Sequence, residues 1–139
     1  MLKQQTGRSP NLAKAGAAGV LTALVTGILG TGVLAKLVDA EIMKVENLGY
    51  GVLILHLLCV FLGARSAMGR GGHRAIAAAG ITAAGYYLCL LLVNGLFFGG
   101  NYTGLGVTLV LTVLAAAGAI GISGKGRGRA HRKRYKIPK

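Results

Sequence analysis

The sequence predicts an all-α membrane protein with four transmembrane helices in two hairpins. The chain is 53% hydrophobic and only 14% charged, whereas soluble domains carry roughly 25% charged residues. The charges are also segregated, because Asp, Glu, Lys and Arg are absent from the stretches 15–35, 47–64 and 75–124. A helix needs about 20 apolar residues to cross the hydrocarbon core, so these stretches hold one, one and two crossings.

The ends of these stretches place each crossing. The longest stretch divides at a polar, glycine-rich turn over 99–104. We therefore predict four helices, at about 15–36, 48–67, 75–98 and 104–124. Together they form one transmembrane domain, 15–124, preceded by an N-terminal segment, 1–14. The remaining residues, 125–139, form a basic tail whose alternating glycines favour flexibility.

Two other interpretations explain the apolar stretches less well. A soluble helical bundle needs a polar outer face at helical period, and these segments are apolar or small on every face. A cleaved signal peptide has an apolar region of about 7–15 residues, whereas the first apolar stretch continues from Ala15 to Ala35. We therefore expect all four segments to remain in the membrane.

The distribution of charge predicts the orientation. Short loops rich in Lys and Arg stay on the cytoplasmic side. Every basic residue except Lys36 and Lys44 lies in the N-terminal segment, the loop after the second helix or the tail. All three acidic residues lie in the loop after the first helix, at Asp39, Glu41 and Glu46. We expect a multi-pass protein of the cell membrane with both termini in the cytoplasm.

The two hairpins share a pattern that is typical of a parallel internal repeat. Ala17–Val20 and Ala78–Ile81 open the two hairpins with nearly the same four residues. Gly63 and Gly118 lie at matching places near the ends of the hairpins. An alanine follows each of these glycines directly. A Gly-basic-Gly triplet then follows at the same distance from the glycine in both hairpins. Because Gly and Ala are very common in this chain, chance is the alternative explanation.

Small residues are expected to mark helix contacts, since helices in lipid associate by close backbone approach. The first, third and fourth helices are rich in such residues, whereas the second is rich in Leu and Val. We therefore predict tight packing of the first, third and fourth helices, with the second more exposed to lipid than the others. The glycines of this prediction are Gly19, Gly27, Gly80, Gly95, Gly99 and Gly121.

Two polar residues inside the predicted helices are functional candidates. His56 lies near the middle of the second helix, and Asn94 lies in the outer half of the third. Ionisable groups inside a membrane are costly and often mark ion or substrate pathways. No carboxylate and no second histidine lies inside a predicted helix. The competing interpretation for His56 is a neutral imidazole that is hydrogen-bonded to a neighbouring helix. For Asn94 the competing interpretation is a structural hydrogen bond between helices.

The basic residues predict contact with anionic lipid headgroups or with a partner. Basic clusters just inside a helix end gain roughly 1 kcal/mol per residue from anionic lipid. The alternatives to lipid are RNA, the ribosome or an acidic protein, and nucleic acid is the partner that we expect least. The residues of this prediction are Arg65, Arg70, Arg74, Lys125, Arg127, Arg129, Arg132, Lys133 and Arg134.

Sequence patterns for chemistry are missing from the chain. Gly69–Gly72 is a short basic loop without the Lys-Ser/Thr of a P-loop, and no HExxH, GxSxG or CxxC occurs. We therefore expect a non-enzymatic protein with no catalytic residues, no cofactor and no metal.

Three segments in the middle of the chain carry a resemblance. They are Phe-Leu-Gly-Ala-Arg-Ser-Ala at 61–67, the basic glycine loop at 69–74, and Gly-Tyr-Tyr at 85–87. With this layout the chain resembles a family of uncharacterised small four-helix membrane proteins found in Firmicutes and related bacteria, although its basic tail goes beyond the family pattern. The resemblance implies the four-helix topology and a bacterial inner membrane, and it implies no activity.

A membrane protein of this kind is expected to act by association. It would be an accessory subunit, scaffold or regulator of a membrane complex, with a membrane-protein partner or a second copy of itself. The alternative is a small oligomeric transporter or channel. Four-helix drug/proton antiporters are similar in length, but they need a membrane-embedded carboxylate, and 15–35 contains none.

Overall fold

The computed structural model describes residues 11–97, 99–100 and 103–130, with side chains as far as Ser123. Regular structure within these residues is entirely helical, so the all-α prediction is confirmed. The α-helices are α1 Leu12–Asp39, α2 Leu48–Gly71, α3 Ala75–Phe97 and α4 Leu105–Ala130. Single turns of 3-10 helix lie at Val45–Asn47 and Gly72–Arg74.

Three helical stretches are long and apolar enough to cross a membrane: Leu12–Asp39, Val45–Phe97 and Leu105–Ser123. Only 11% to 22% of the residues in their most apolar windows are buried inside the chain. Large apolar side chains such as Ile28 and Leu96 are more than two-thirds exposed, at 73% and 78%. An outer surface this apolar is suited to lipid rather than water, as expected for a membrane protein.

The helix boundaries follow the charge pattern closely. α2 and α3 begin at the residues where the apolar stretches predict them, Leu48 and Ala75. α1 and α4 are longer than expected, because they continue past the apolar residues to Asp39 and Ala130. The backbone is therefore helical through the glycine-rich start of the basic tail, which was expected to be flexible. The rest of the tail, 131–139, lies outside the described residues.

The helix α2 is the central element of the structure. Its buried residues recur every three or four positions from His56 to Gly71, which is the spacing of one continuous helix face. The exposed leucines, Leu57, Leu58 and Leu62, lie on its other side. The prediction that the second helix is more exposed to lipid than the others is therefore wrong. Its leucines do face outward, but its small residues pack against the other helices.

Contacts along the helices fix their relative directions. Gly16 of α1 lies against Ile81 of α3, and further along both helices Val20 lies against Gly85. These two helices therefore run in the same direction. Between α2 and α3, Gly72 has a φ of 55°, a left-handed conformation that glycine adopts without a steric penalty.

Candidate functional site

A tight crossing holds α1, α2 and α3 together. A Cβ atom on Gly63 would lie 2.7 Å from the carbonyl oxygen of Gly19, and one on Gly19 would lie 2.8 Å from the carbonyl oxygen of Gly63. Beside them Thr82 is fully buried. Its hydroxyl donates to the carbonyl of Ala78 at 3.0 Å and faces that of Gly16 at 3.4 Å. This crossing fixes the helices that carry the polar residues farther along.

His56 lies on the face of α2 that contacts α4 and is only 7% exposed. Its Nε2 is 2.8 Å from the hydroxyl oxygen of Thr112 and 3.2 Å from the carbonyl oxygen of Thr108. The Thr112 hydroxyl donates its own hydrogen to that same carbonyl, at 2.7 Å. Both neighbours of Nε2 therefore act as hydrogen-bond acceptors, so we assign the ring hydrogen to Nε2. His56 thus binds α2 to α4.

Two further polar side chains lie beside the imidazole. The ring centroids of His56 and Tyr86 are 5.4 Å apart, and the rings are tilted by 40°. Cys59, one turn along α2, is fully buried. A Cβ atom on Gly27 of α1 would lie 3.5 Å from the Cys59 sulfur and 4.0 Å from the Tyr86 hydroxyl oxygen. The absence of a side chain at Gly27 therefore leaves space around the thiol and the hydroxyl.

These residues line a groove of about 350 Å³ between α1, α2 and α3. His56, Cys59 and Tyr86 form its polar wall, together with Thr31 of α1. The rest of the lining is apolar: Leu24, Gly27, Ile28, Val52, Leu55, Leu90 and Val93. The groove therefore combines one polar wall with an apolar lining and has no carboxylate among its lining residues.

The two sequence candidates do not form one site. Asn94 is half-buried near the end of α3, where its carbonyl accepts the N–H of Gly100 at 3.4 Å. It lies eight residues beyond Tyr86, the α3 residue beside His56, which is about 12 Å along the helix. The structure instead brings His56 together with Thr112, Tyr86 and Cys59. Sequence reasoning did not propose these as site residues.

The predicted packing glycines have different surroundings. Gly19 is buried in the crossing, and Gly27 lies against Cys59. The others are exposed: Gly80, Gly95, Gly99 and Gly121. Sequence reasoning did not propose Gly63 or Gly71 as packing positions, although a Cβ atom on Gly71 would lie 2.9 Å from that of Ala78. Their spacing with Ala64 and Ala67 on one face of α2 was the available signal.

Arginines gather at the end of the structure where α2 ends and α3 begins, which we name the basic end. Arg65, Arg70 and Arg74 are all exposed there. The remaining basic candidates have no described side chains. They are Lys125, Arg127 and Arg129 in the last turns of α4, and Arg132, Lys133 and Arg134 beyond the described residues.

Comparison with known proteins adds no identity. No family model, curated protein or solved structure matches the chain. Within the described residues, no group of three His, Cys, Asp or Glu side chains could hold a metal ion.

Proposed function

We propose that this chain is a non-enzymatic, multi-pass membrane protein that acts by association, as an accessory subunit, scaffold or regulator of a membrane complex. The observation that carries this proposal is a pair of small-residue helix faces that point outward. They lie on α3 and α4 around Gly80 and Gly118, the sequence counterparts of the two glycines that form the α1–α2 crossing.

The comparison of the two hairpins supports this proposal. Gly19 and Gly63 are buried against each other in the first hairpin. Their counterparts in the sequence pattern, Gly80 and Gly118, are exposed, with no atom within 4 Å of an added Cβ. A glycine inside a helix costs about 1 kcal/mol relative to alanine. Close approach of a second helix is a physical reason for its presence in lipid.

The outer face of α4 also exposes small residues, among larger ones such as Val113 and Ile122. The buried side of this helix carries Thr112, Ala115 and Ala119. The opposite side exposes Ala117, and Gly121 one turn later. Lipid chains do not require small residues, whereas a partner helix can approach closely only where side chains are small. A membrane-protein partner or a second copy of this chain fits that face.

Four crossings with both termini in the cytoplasm complete the proposal. The helical stretch Val45–Phe97 has 53 residues, which at 1.5 Å per residue would span about 80 Å if it were straight. The hydrocarbon core is only about 30 Å thick, and the chain turns back at Gly72. The basic end would face the cytoplasm. The resemblance to small four-helix proteins of Firmicutes and related bacteria supports the same topology and a bacterial inner membrane.

Crosslinking in intact cells tests the association. The tagged full chain would be crosslinked, extracted in mild detergent and analysed by mass spectrometry for proteins that copurify. We expect a membrane protein to copurify with the native chain in stoichiometric amount. It should be absent from preparations of Gly118→Leu, because leucine would block close approach of a partner helix to α4. Gly32→Leu is the control, since Gly32 is also an exposed helical glycine with nothing within 4 Å. If only further copies of the tagged chain were recovered, the result would argue against an accessory subunit and favour transport.

The groove beside His56 favours a second candidate function, a small oligomeric transporter or channel. A buried histidine next to a hydroxyl, a thiol and an open groove is an arrangement that could contact a passing solute. Flux through purified, reconstituted protein would be compared between the native chain, His56→Ala and Asn94→Ala. Unchanged flux in His56→Ala would exclude a pathway that depends on this histidine.

A further inference from the structure

A cleft of about 360 Å³ lies at the basic end between α2, α3 and α4. Arg65 of α2 and Ser123 of α4 supply its polar side chains. The other lining residues are apolar or lack a side chain: Met68, Gly69, Ala75, Ile76 and Ile120. The cleft therefore joins a cation and a hydroxyl to an apolar wall.

The two polar groups lie at one level of the structure. Arg65 is nine residues beyond His56 on α2, or about 14 Å along the helix axis. Ser123 is eleven residues beyond Thr112 on α4, or about 16 Å. The hydrogen bond between His56 and Thr112 places those two residues at the same depth. His56 lies at the middle of the charge-free stretch 47–64, so we take its depth as the middle of a hydrocarbon core about 30 Å thick. Arg65 and Ser123 then lie about half that thickness away, at the level where headgroups begin.

The charge around the cleft is of one sign. Arg70 and Arg74 lie at the same end as Arg65. All three acidic residues of the chain lie at the other end of those helices, with Asp39 as the last residue of α1 and Glu41 and Glu46 before α2. A guanidinium group offers a planar set of donors that matches a phosphate. Charge and shape therefore favour an anionic group held above an apolar chain.

We propose that this cleft is a binding site for an anionic glycerophospholipid. The phosphate lies between the guanidinium of Arg65 and the hydroxyl of Ser123, and one acyl chain lies along Ile76 and Ile120. Lipid in this position fills the space between α3 and α4 at the basic end and links both helices to α2. The site is independent of whether a partner chain binds the outer face of α4.

Lipid retention by the purified full chain tests the site. Native mass spectrometry would measure phosphatidylglycerol bound in competition with phosphatidylcholine. We expect preferential retention of phosphatidylglycerol and a loss of about fivefold in Arg65→Gln, the factor for one basic residue at an anionic surface. Arg70→Gln is the matched control, because this arginine lies on the same helix and at the same end but outside the cleft. Equal effects of the two substitutions would overturn the proposal.

A second substitution tests the apolar part of the cleft. Ile76 is 67% exposed, so Ile76→Trp can fill the cleft without disturbing the core, and we expect it to abolish selective retention. Ile54→Trp is the control, at a similarly exposed isoleucine of α2. Retention that survives in Ile76→Trp would overturn the proposed position of the acyl chain. Displacement of the lipid by inorganic phosphate alone would show a phosphate site without a lipid component.

Discussion

Gly19 and Gly63 place the backbones of α1 and α2 in direct contact. Alanines flank the contact on both helices. A Cβ atom on Gly63 would lie 2.9 Å from that of Ala23, and one on Gly19 would lie 2.8 Å from that of Ala67. The Thr82 side chain of α3 also lies against both glycines. The backbone and alanine atoms among these neighbours have no side-chain torsion that could move them away. The contact therefore sets the distance between α1 and α2 at this crossing.

Substitution of Gly63 by alanine is expected to destabilise the protein. Alanine gains about 1 kcal/mol of helix propensity over glycine, but the overpacked crossing should cost about 1–3 kcal/mol. The net result is a lower midpoint of thermal unfolding in mild detergent. Gly69→Ala is the matched control, because Gly69 lies in the same helix with nothing within 4 Å of an added Cβ. Equal midpoints for the two variants would contradict the close crossing.

A second prediction, on the stability of two α2 variants, follows from the central position of this helix. Val60 is fully buried, whereas Val52 of the same helix is 47% exposed. Lipid is as apolar as the protein interior. The loss of stability in Val60→Ala therefore comes from lost packing contacts rather than from transfer out of water. We expect Val60→Ala to lower the free energy of unfolding by about 1–2 kcal/mol, measured by denaturant titration in detergent. Val52→Ala should change it much less, and the reverse order would place α2 at the lipid surface.

Charge segregation located the helices, but it could not show which face of each helix is buried. The stretches without charge correctly placed the starts of α2 and α3, since a polar or charged residue marks where an apolar helix begins. In water, apolar residues would mark the inner face, whereas in lipid both faces are apolar. The leucines of α2 were therefore a misleading guide, and its small residues from Gly63 to Gly71 were the informative ones.

The candidate site was predictable only in part for a related reason. His56 was recognisable because a histidine inside an apolar stretch is rare and costly. Its partner Thr112 was not, because a helical threonine ordinarily bonds its own backbone, as Thr112 also does here. The pairing depends on the register between α2 and α4, which small shifts of either helix would change. Sequence spacing within one helix carries no information about that register.

The pairing of His56 with Thr112 can be measured by a double-mutant cycle. We expect His56→Ala and Thr112→Val to be coupled by about 0.6 kcal/mol, and by no more than about 2, the range of interhelical hydrogen bonds in membranes. Unfolding free energies of the two single variants and the double variant give the coupling. A cycle of His56→Ala with Thr26→Val is the control, because the Thr26 hydroxyl donates to the carbonyl of Thr22 within α1. Equal coupling in both cycles would contradict a specific bond.

Reporter fusions test the proposed topology of four crossings. A fluorescent protein after Lys139 should fluoresce, and alkaline phosphatase inserted beside His73 should be inactive, because both positions would be cytoplasmic. Alkaline phosphatase inserted after Ile42, in the acidic segment, should be active in the periplasm. The physical reason is the cost of translocating the arginines near His73 and the basic tail. Alkaline phosphatase activity at both Ile42 and His73 would mean that α2 does not cross the membrane. Loss of fluorescence after Lys139, with activity at His73 and none at Ile42, would indicate the reverse orientation.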